Sequence, residues 1–230
     1  MSRQTSARLE CLLWDVDGTL TDSTSLITEA LDYTYRKNYG RTLPEDALRA
    51  LIGTPLRKQI RVFGEPEALG ANAQTVMDDF IAHYERNKAR ERILAPVVEL
   101  LIDGKRRGLR TALVTSKNHE ELDNTLPRLG IADYVDFAVT ADDVSNPKPD
   151  PEGLRLALVR FNAAPAAALY IGDTVHDMRA ARAAGIPGVA VTWGAGSRPL
   201  LEEDSPAYIC ETPQELREVL LARYDQVHSV

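Results

Sequence analysis

Short apolar runs punctuate the chain at residues 9–14, 109–114, 135–139, 168–171, 188–191 and 207–209. Most are too short for helices and end at polar residues or glycine, which predicts strands. Several are apolar without alternation, as expected when both faces of a parallel strand are covered. Segments of helical character lie between them. Residues 96–107 stop before Gly108, 119–129 before Gly130 and 174–184 before Gly185. A glycine just past the last helical residue is a cheap stop, because it accepts left-handed backbone angles. A last helix opens at Thr212-Pro213-Gln214-Glu215. Thr212 can cap it, Pro213 suits its first position and Glu215 completes a capping box. Strand and helix thus alternate from about residue 94 onward, the pattern of an α/β fold with a doubly wound, mostly parallel sheet.

The first strand stands apart from the second by about ninety residues of helical character: 24–39, 44–51, 55–63 and 71–88. A crossover needs only a dozen or so residues. The surplus reads as an inserted helical cap over residues 23–90, leaving 1–22 and 91–230 as the core.

Composition narrows the function. The chain has 230 residues, 44% hydrophobic and 6% aromatic, so aliphatic side chains must fill most of the core. Its formal net charge is −7. That field repels nucleic acid and anionic membrane. It also repels phosphate, so local cations or a metal must offset it, and a small substrate is favoured over a polymer. Cys11 and Cys210 are far apart in or beside apolar runs, which suits buried thiols in a reducing compartment rather than a disulfide framework. Residues 1–9 are polar and lack the apolar stretch of a signal peptide. No apolar run approaches membrane-spanning length. A cytoplasmic protein is expected.

Four sites carry candidate chemistry. Asp15-Val16-Asp17-Gly18-Thr19 follows the first strand. In extended chain, residues two apart point the same way, so Asp15 and Asp17 can face one pocket at the carboxyl end of the sheet, where open α/β folds bind ligands. The same residues also suit a polar turn. Gly172-Asp173-Thr174-Val175-His176-Asp177 follows the run at 168–171. Asp173 and Asp177 could cap a helix and complement its dipole. Two strand tips that each offer paired carboxylates also suit a hard cation between them. Thr115-Ser116, after 109–114, offers a hydroxyl and N–H groups to phosphate oxygens, or caps the next helix. In Asn146-Pro147-Lys148-Pro149-Asp150-Pro151 a stiff loop would lower the entropic cost of aiming Lys148 at an anion, or Lys148 is a solvated surface group like most lysines.

Taken in order, Asp15-Val16-Asp17-Gly18-Thr19-Leu20, Thr115, Lys148 and Gly172-Asp173-Thr174 with Asp177 resemble the four motifs of the haloacid dehalogenase superfamily. The resemblance covers nearly the whole chain. The helical insert is similar to the branch that holds phosphoglycolate phosphatases and β-phosphoglucomutases. Residues 139–144 leading into Lys148-Pro149-Asp150-Pro151, with Ile52-Gly53-Thr54-Pro55-Leu56, are most similar to phosphoglycolate phosphatase and pyrophosphatase members. The resemblance implies a phosphatase of small phosphate esters or anhydrides. In it, Asp15 forms an aspartyl-phosphate and Asp17 is acid, then base. It implies Mg2+ held by the Asp15 carboxylate, the Asp17 backbone carbonyl and Asp173, with Asp177 supporting from behind. Thr115 and Ser116 then bind the phosphoryl group, and Lys148 neutralises Asp15.

Trp14 stands where phenylalanine is more usual, which should alter packing and not chemistry. His119 and His176 flank the site in sequence, and His176 is expected to be an exposed helix residue. Arg57, Lys58, Asn87 and Lys88 are the specificity candidates of the cap. A phosphomutase using the same two aspartates is the close rival. Dehalogenation is disfavoured because Asp17 is present, and phosphonoacetaldehyde hydrolysis because Lys58 does not match that branch's spacing. A catalytically idle binding module is the rival from another class. The substrate and the oligomeric state are not legible in the sequence.

Overall fold

The structure, a computed structural model, describes residues 8–225. The signal-peptide expectation falls mostly on residues 1–7, outside the described residues. Six strands form one parallel sheet: β1 (Cys11–Trp14), β4 (Arg110–Val114), β5 (Phe137–Val139), β6 (Ala168–Gly172), β7 (Gly188–Val191) and β8 (Tyr208–Cys210), in the order β5-β4-β1-β6-β7-β8. β1 is central, and the chain reverses direction across the sheet between β1 and β6.

Both faces of β1 are buried, which explains its unbroken apolar run. Leu12 and Trp14 join Leu101 and Leu216, carried by α5 (Ala95–Arg106) and α10 (Pro213–Asp225). Cys11 and Leu13 face the other way, toward Leu154 and Leu158 of α7 (Glu152–Phe161) and Ala181 of α8 (Val175–Ala184). Helices thus cover the sheet on both sides, with α6 (His119–Leu129) beside α5 on the first side. Trp14 is fully buried and packs in this core, as expected of it. Cys11 and Cys210 are buried and unbridged. Burial raises their thiols to about 11 and about 12.

Between β2 (Thr21–Asp22) and β3 (Arg92–Ile93), an antiparallel pair, the chain is helical: α1 (Thr24–Tyr39), α2 (Glu45–Arg49), α3 (Leu56–Gln59) and α4 (Ala73–Asn87), with short 3-10 turns. These helices bury a separate cluster that includes Leu31, Tyr35, Ile52 and Phe80. The helix expected over 55–63 stops at Gln59. The hydroxyls of Tyr35 and Tyr39 donate to the carbonyls of Gln59 and Ile60, each at 2.7 Å, at the point where the helix ends. α7 carries no glycine stop and ends instead on Asn162 at φ 49°, so the sequence gives no terminal signal there. No helix among the described residues is long and apolar enough to cross a membrane.

Leu13 is fully buried in the second cluster. Leu13→Ala should lower unfolding free energy by about 2–5 kcal/mol. Urea denaturation measures this, and an unchanged midpoint would contradict the packing described.

Candidate active site

Four strand ends meet at one edge of the sheet. Asp15 follows β1, Thr115 follows β4, Asp173 follows β6, and Lys148 comes from the loop between β5 and α7. Asp15 donates its backbone N–H to the carbonyl of Ile171 at 2.9 Å, which fixes it against β6. Asp15 and Asp173 therefore flank the point where the strand order reverses, the usual ligand position in doubly wound sheets.

Lys148 is the electrostatic centre. Its Nζ lies 2.8 Å from Asp15 Oδ1 and 2.6 Å from Asp177 Oδ1, and it donates to the Tyr170 hydroxyl at 3.0 Å. Tyr170 in turn donates to Asp177 Oδ1 at 2.7 Å. Asp177 also closes the capping box of α8, where its Oδ2 accepts from the Thr174 N–H at 2.9 Å and the Thr174 hydroxyl at 2.6 Å. Asp177 thus closes the helix cap with one oxygen and meets Lys148 with the other. Asp173 accepts from the Ala195 N–H at 2.7 Å and from the Thr19 hydroxyl at 3.3 Å.

Burial sets the charge states. It pushes Asp15 up to about 7 despite Lys148. It pushes Asp173 well above the carboxylate range, with Asp177 and Asp15 adding to the rise. Burial also opposes charge on Asp177, but Lys148, Thr174 and Tyr170 outweigh it and hold that carboxyl low. For Lys148 burial alone would favour the neutral amine, and the two adjacent carboxylates overcome it.

Asp15, Asp173 and Asp177 each bring a carboxylate oxygen within 4.8 Å of the others, and all three are buried. One ammonium faces three carboxyls, so the cluster lacks positive charge. An all-oxygen donor set with that deficit fits a hard divalent cation such as Mg2+.

Other expected residues fall as follows. Asp17 is partly buried, with Oδ2 at 2.9 Å from Lys117 Nζ and Oδ1 accepting from Ser23 Oγ at 3.0 Å. Thr115 is buried, and its Oγ1 accepts from the Lys117 N–H at 3.2 Å. The Ser116 hydroxyl turns to the helical segment and donates to the Gly53 carbonyl at 2.6 Å. His176 is not the exposed residue expected of it. It is half-buried against the backbone of Ala50, and burial lowers its basicity. His119 is exposed and faces Asp142 and Asp143.

A cavity of about 330 Å3 opens beside Asp15 and Asp17, between the sheet edge and the helical segment. Of the four specificity candidates only Lys88 lines it, whereas Arg57, Lys58 and Asn87 do not. Its walls include Gln59, Tyr84, Glu91, Lys117, Glu121 and Arg128, none of which sequence patterns singled out. Tyr170 was likewise hidden inside an apolar strand. Lys117 was the more findable, two residues past Thr115 and thus on the same strand tip.

Gly18 has φ 74°, and a Cβ there would collide with the Asp173 carboxylate. A side chain at this position would push Asp173 out of place. Lys148→Met should lower unfolding free energy by about 3–5 kcal/mol, the cost of leaving buried carboxylates uncompensated. The loss should be larger at pH 8 than at pH 5, because protonation relieves stranded carboxylates as pH falls. Urea melts at both values measure this, and an equal loss would count against the charge assignment.

Comparison with known proteins agrees with this architecture. Residues 12–191 match the haloacid dehalogenase-like hydrolase family. The chain is 33% identical over 219 residues to the pyrophosphatase PpaX of Bacillus velezensis, covering 92% of this chain and 96% of that protein. It is 33% identical over 220 residues to a phosphoglycolate phosphatase of Nitrosococcus oceani, covering 92% and 96%. A hydrolase of Pseudomonas syringae superposes with a TM-score of 0.80 at 26% identity, covering 92% of this chain and 97% of that one. With the motif order, the sheet topology and the match over most of its length in agreement, this chain belongs to the haloacid dehalogenase-like hydrolase family.

Proposed function

We propose that this chain is a Mg2+-dependent phosphatase that hydrolyses a small phosphate ester or anhydride in the cytoplasm, through a phosphorylated Asp15. The observation that carries the reading is the buried contact of Lys148 with Asp15, a lining residue of the cavity, made across 133 residues of chain. Names of relatives, a pyrophosphatase and a phosphoglycolate phosphatase among them, support the reaction class.

The chemistry follows from the residues. A carboxylate nucleophile and a phosphoryl group repel each other, so the site must offset negative charge. Lys148 does part of this. The Asp15 and Asp173 carboxylates with the Asp17 backbone carbonyl would hold Mg2+, and Asp177 would support them through Lys148. When bound, the cation supplies charge that stabilises the transferring phosphoryl. An Asp15 oxygen attacks phosphorus, and the bond to the leaving oxygen breaks with its electron pair on that oxygen. Asp17 protonates it. Water then attacks phosphorus, Asp17 accepts its proton, and phosphate leaves with Asp15 regenerated. Lys117 and Ser23 hold the Asp17 carboxylate between these steps. Thr115 and the N–H of Ser116 bind the phosphoryl oxygens. We read residues 23–90 as a cap that closes over the cavity.

Release of p-nitrophenol from p-nitrophenyl phosphate, with and without Mg2+, tests the reading. Turnover should require the cation. Asp15→Asn should reduce it to background in a folded protein. Asp17→Asn should lower kcat by about 10²–10⁴. A wild-type rate in Asp15→Asn would exclude the covalent route.

A further inference from the structure

The charges around the cavity bear on what it can accept beyond the phosphoryl group. Three cations line it, and each already has a carboxylate partner. Lys117 Nζ sits 2.9 Å from Asp17 Oδ2, Lys88 Nζ sits 2.7 Å from Glu85 Oε2, and Arg128 is bound to Glu91. The Glu91 carboxylate also accepts from the Tyr84 hydroxyl at 2.8 Å. Glu120 and Glu121, at the start of α6, add two more carboxylates to the wall. The cation near Glu121 is Lys117, already held by Asp17, and burial pushes the Glu121 carboxyl up. The floor includes apolar side chains from the helical segment, Leu56, Phe80 and Ile81.

One lining residue carries an unused acceptor. Gln59 is 6% exposed, and its Nε2 donates to the carbonyls of Leu51 at 3.2 Å and Thr54 at 2.8 Å. Its Oε1 is buried without a donor. That acceptor is sealed from the cavity, so Gln59 braces the wall through its two donations and offers an entering group no hydrogen bond. A second anion entering the cavity would meet surplus carboxylates, and cations already committed.

We propose, on the basis of the phosphatase reading, that the cavity selects phosphate monoesters whose leaving group is an uncharged alcohol. It discriminates against substrates that place a second negative charge there, as pyrophosphate and phosphoglycolate do. Glu121, with Glu120 beside it, determines the specificity of this selection.

The test measures released phosphate from glycerol 3-phosphate, glucose 6-phosphate, pyrophosphate and phosphoglycolate at fixed free Mg2+, with p-nitrophenyl phosphate as control. The uncharged-alcohol esters should exceed both dianion-bearing substrates in kcat/KM by about tenfold or more, the scale of one like charge near 10 Å at an effective dielectric of ~20. Glu121→Gln should narrow that ratio while keeping the capping box, which glutamine also closes. Glu120→Gln repeats the measurement if the first variant melts early. Equal or faster turnover of pyrophosphate or phosphoglycolate, with the control active, overturns the proposal and leaves the phosphatase reading intact. An unchanged ratio in both folded variants overturns its electrostatic basis. No turnover of the control overturns the phosphatase reading and the proposal together.

Discussion

Three buried carboxyls share one ammonium, and much of this molecule serves to bring them together. Asp15, Asp173 and Asp177 would repel one another at the observed separation without Lys148 between two of them. Even with it, burial holds Asp15 and Asp173 above their ordinary range. Such a cluster costs stability in isolation, because charges taken from water are repaid only by good geometry and added positive charge. Unequal environments sort the acids. Asp177 keeps its charge because it draws on Lys148, Tyr170 and Thr174 at once. Asp15 and Asp173 are left short, and a divalent cation would correct that shortage.

The sheet makes this affordable by supplying rigid strand ends. β1 and β6 pair in register from Cys11 to Trp14, which sets Asp15 level with Gly172 and one residue short of Asp173 at adjacent strand ends. Tyr170 reaches from the interior of β6 to the Val114 carbonyl at 3.1 Å and so joins β4 to the same network. The helical segment is tied in from above. Arg49 donates to the Gly194 carbonyl at 2.9 Å, next to the Ala195 N–H that serves Asp173, and Ser116 donates to Gly53. Gly194 is needed there because a Cβ would run into the Asp173 carboxylate.

Much of this was legible in the chain itself. The unbroken apolar runs at 9–14 and 168–171 mark strands covered on both faces, and glycines 108, 130 and 185 mark helix ends. The order Asp15, Thr115, Lys148, Asp173 was readable because each follows a strand or a stiff loop. Other features left no local signal. β2 and β3 are two residues each, too short for a period, and pair across some seventy residues. α7 stops at a left-handed asparagine rather than glycine. Tyr170 looks like any apolar strand residue until Lys148 and Asp177 surround it. Gln59, Glu91 and Arg128 belong to different elements and become cavity walls only when the helical segment packs against the core. His176 looked like a solvated helix residue because nothing near it in sequence announces Ala50.

We propose that the acidic cluster, short of positive charge, takes up a divalent cation. Calorimetric titration of Mg2+ into the substrate-free protein reads this without reference to turnover. One bound ion per chain is expected, with affinity rising between pH 6 and pH 8 as Asp15 loses its proton, and loss of that binding in Asp173→Asn. Equal Mg2+ affinity in the wild-type and Asp173→Asn proteins, or no binding to either, would contradict it.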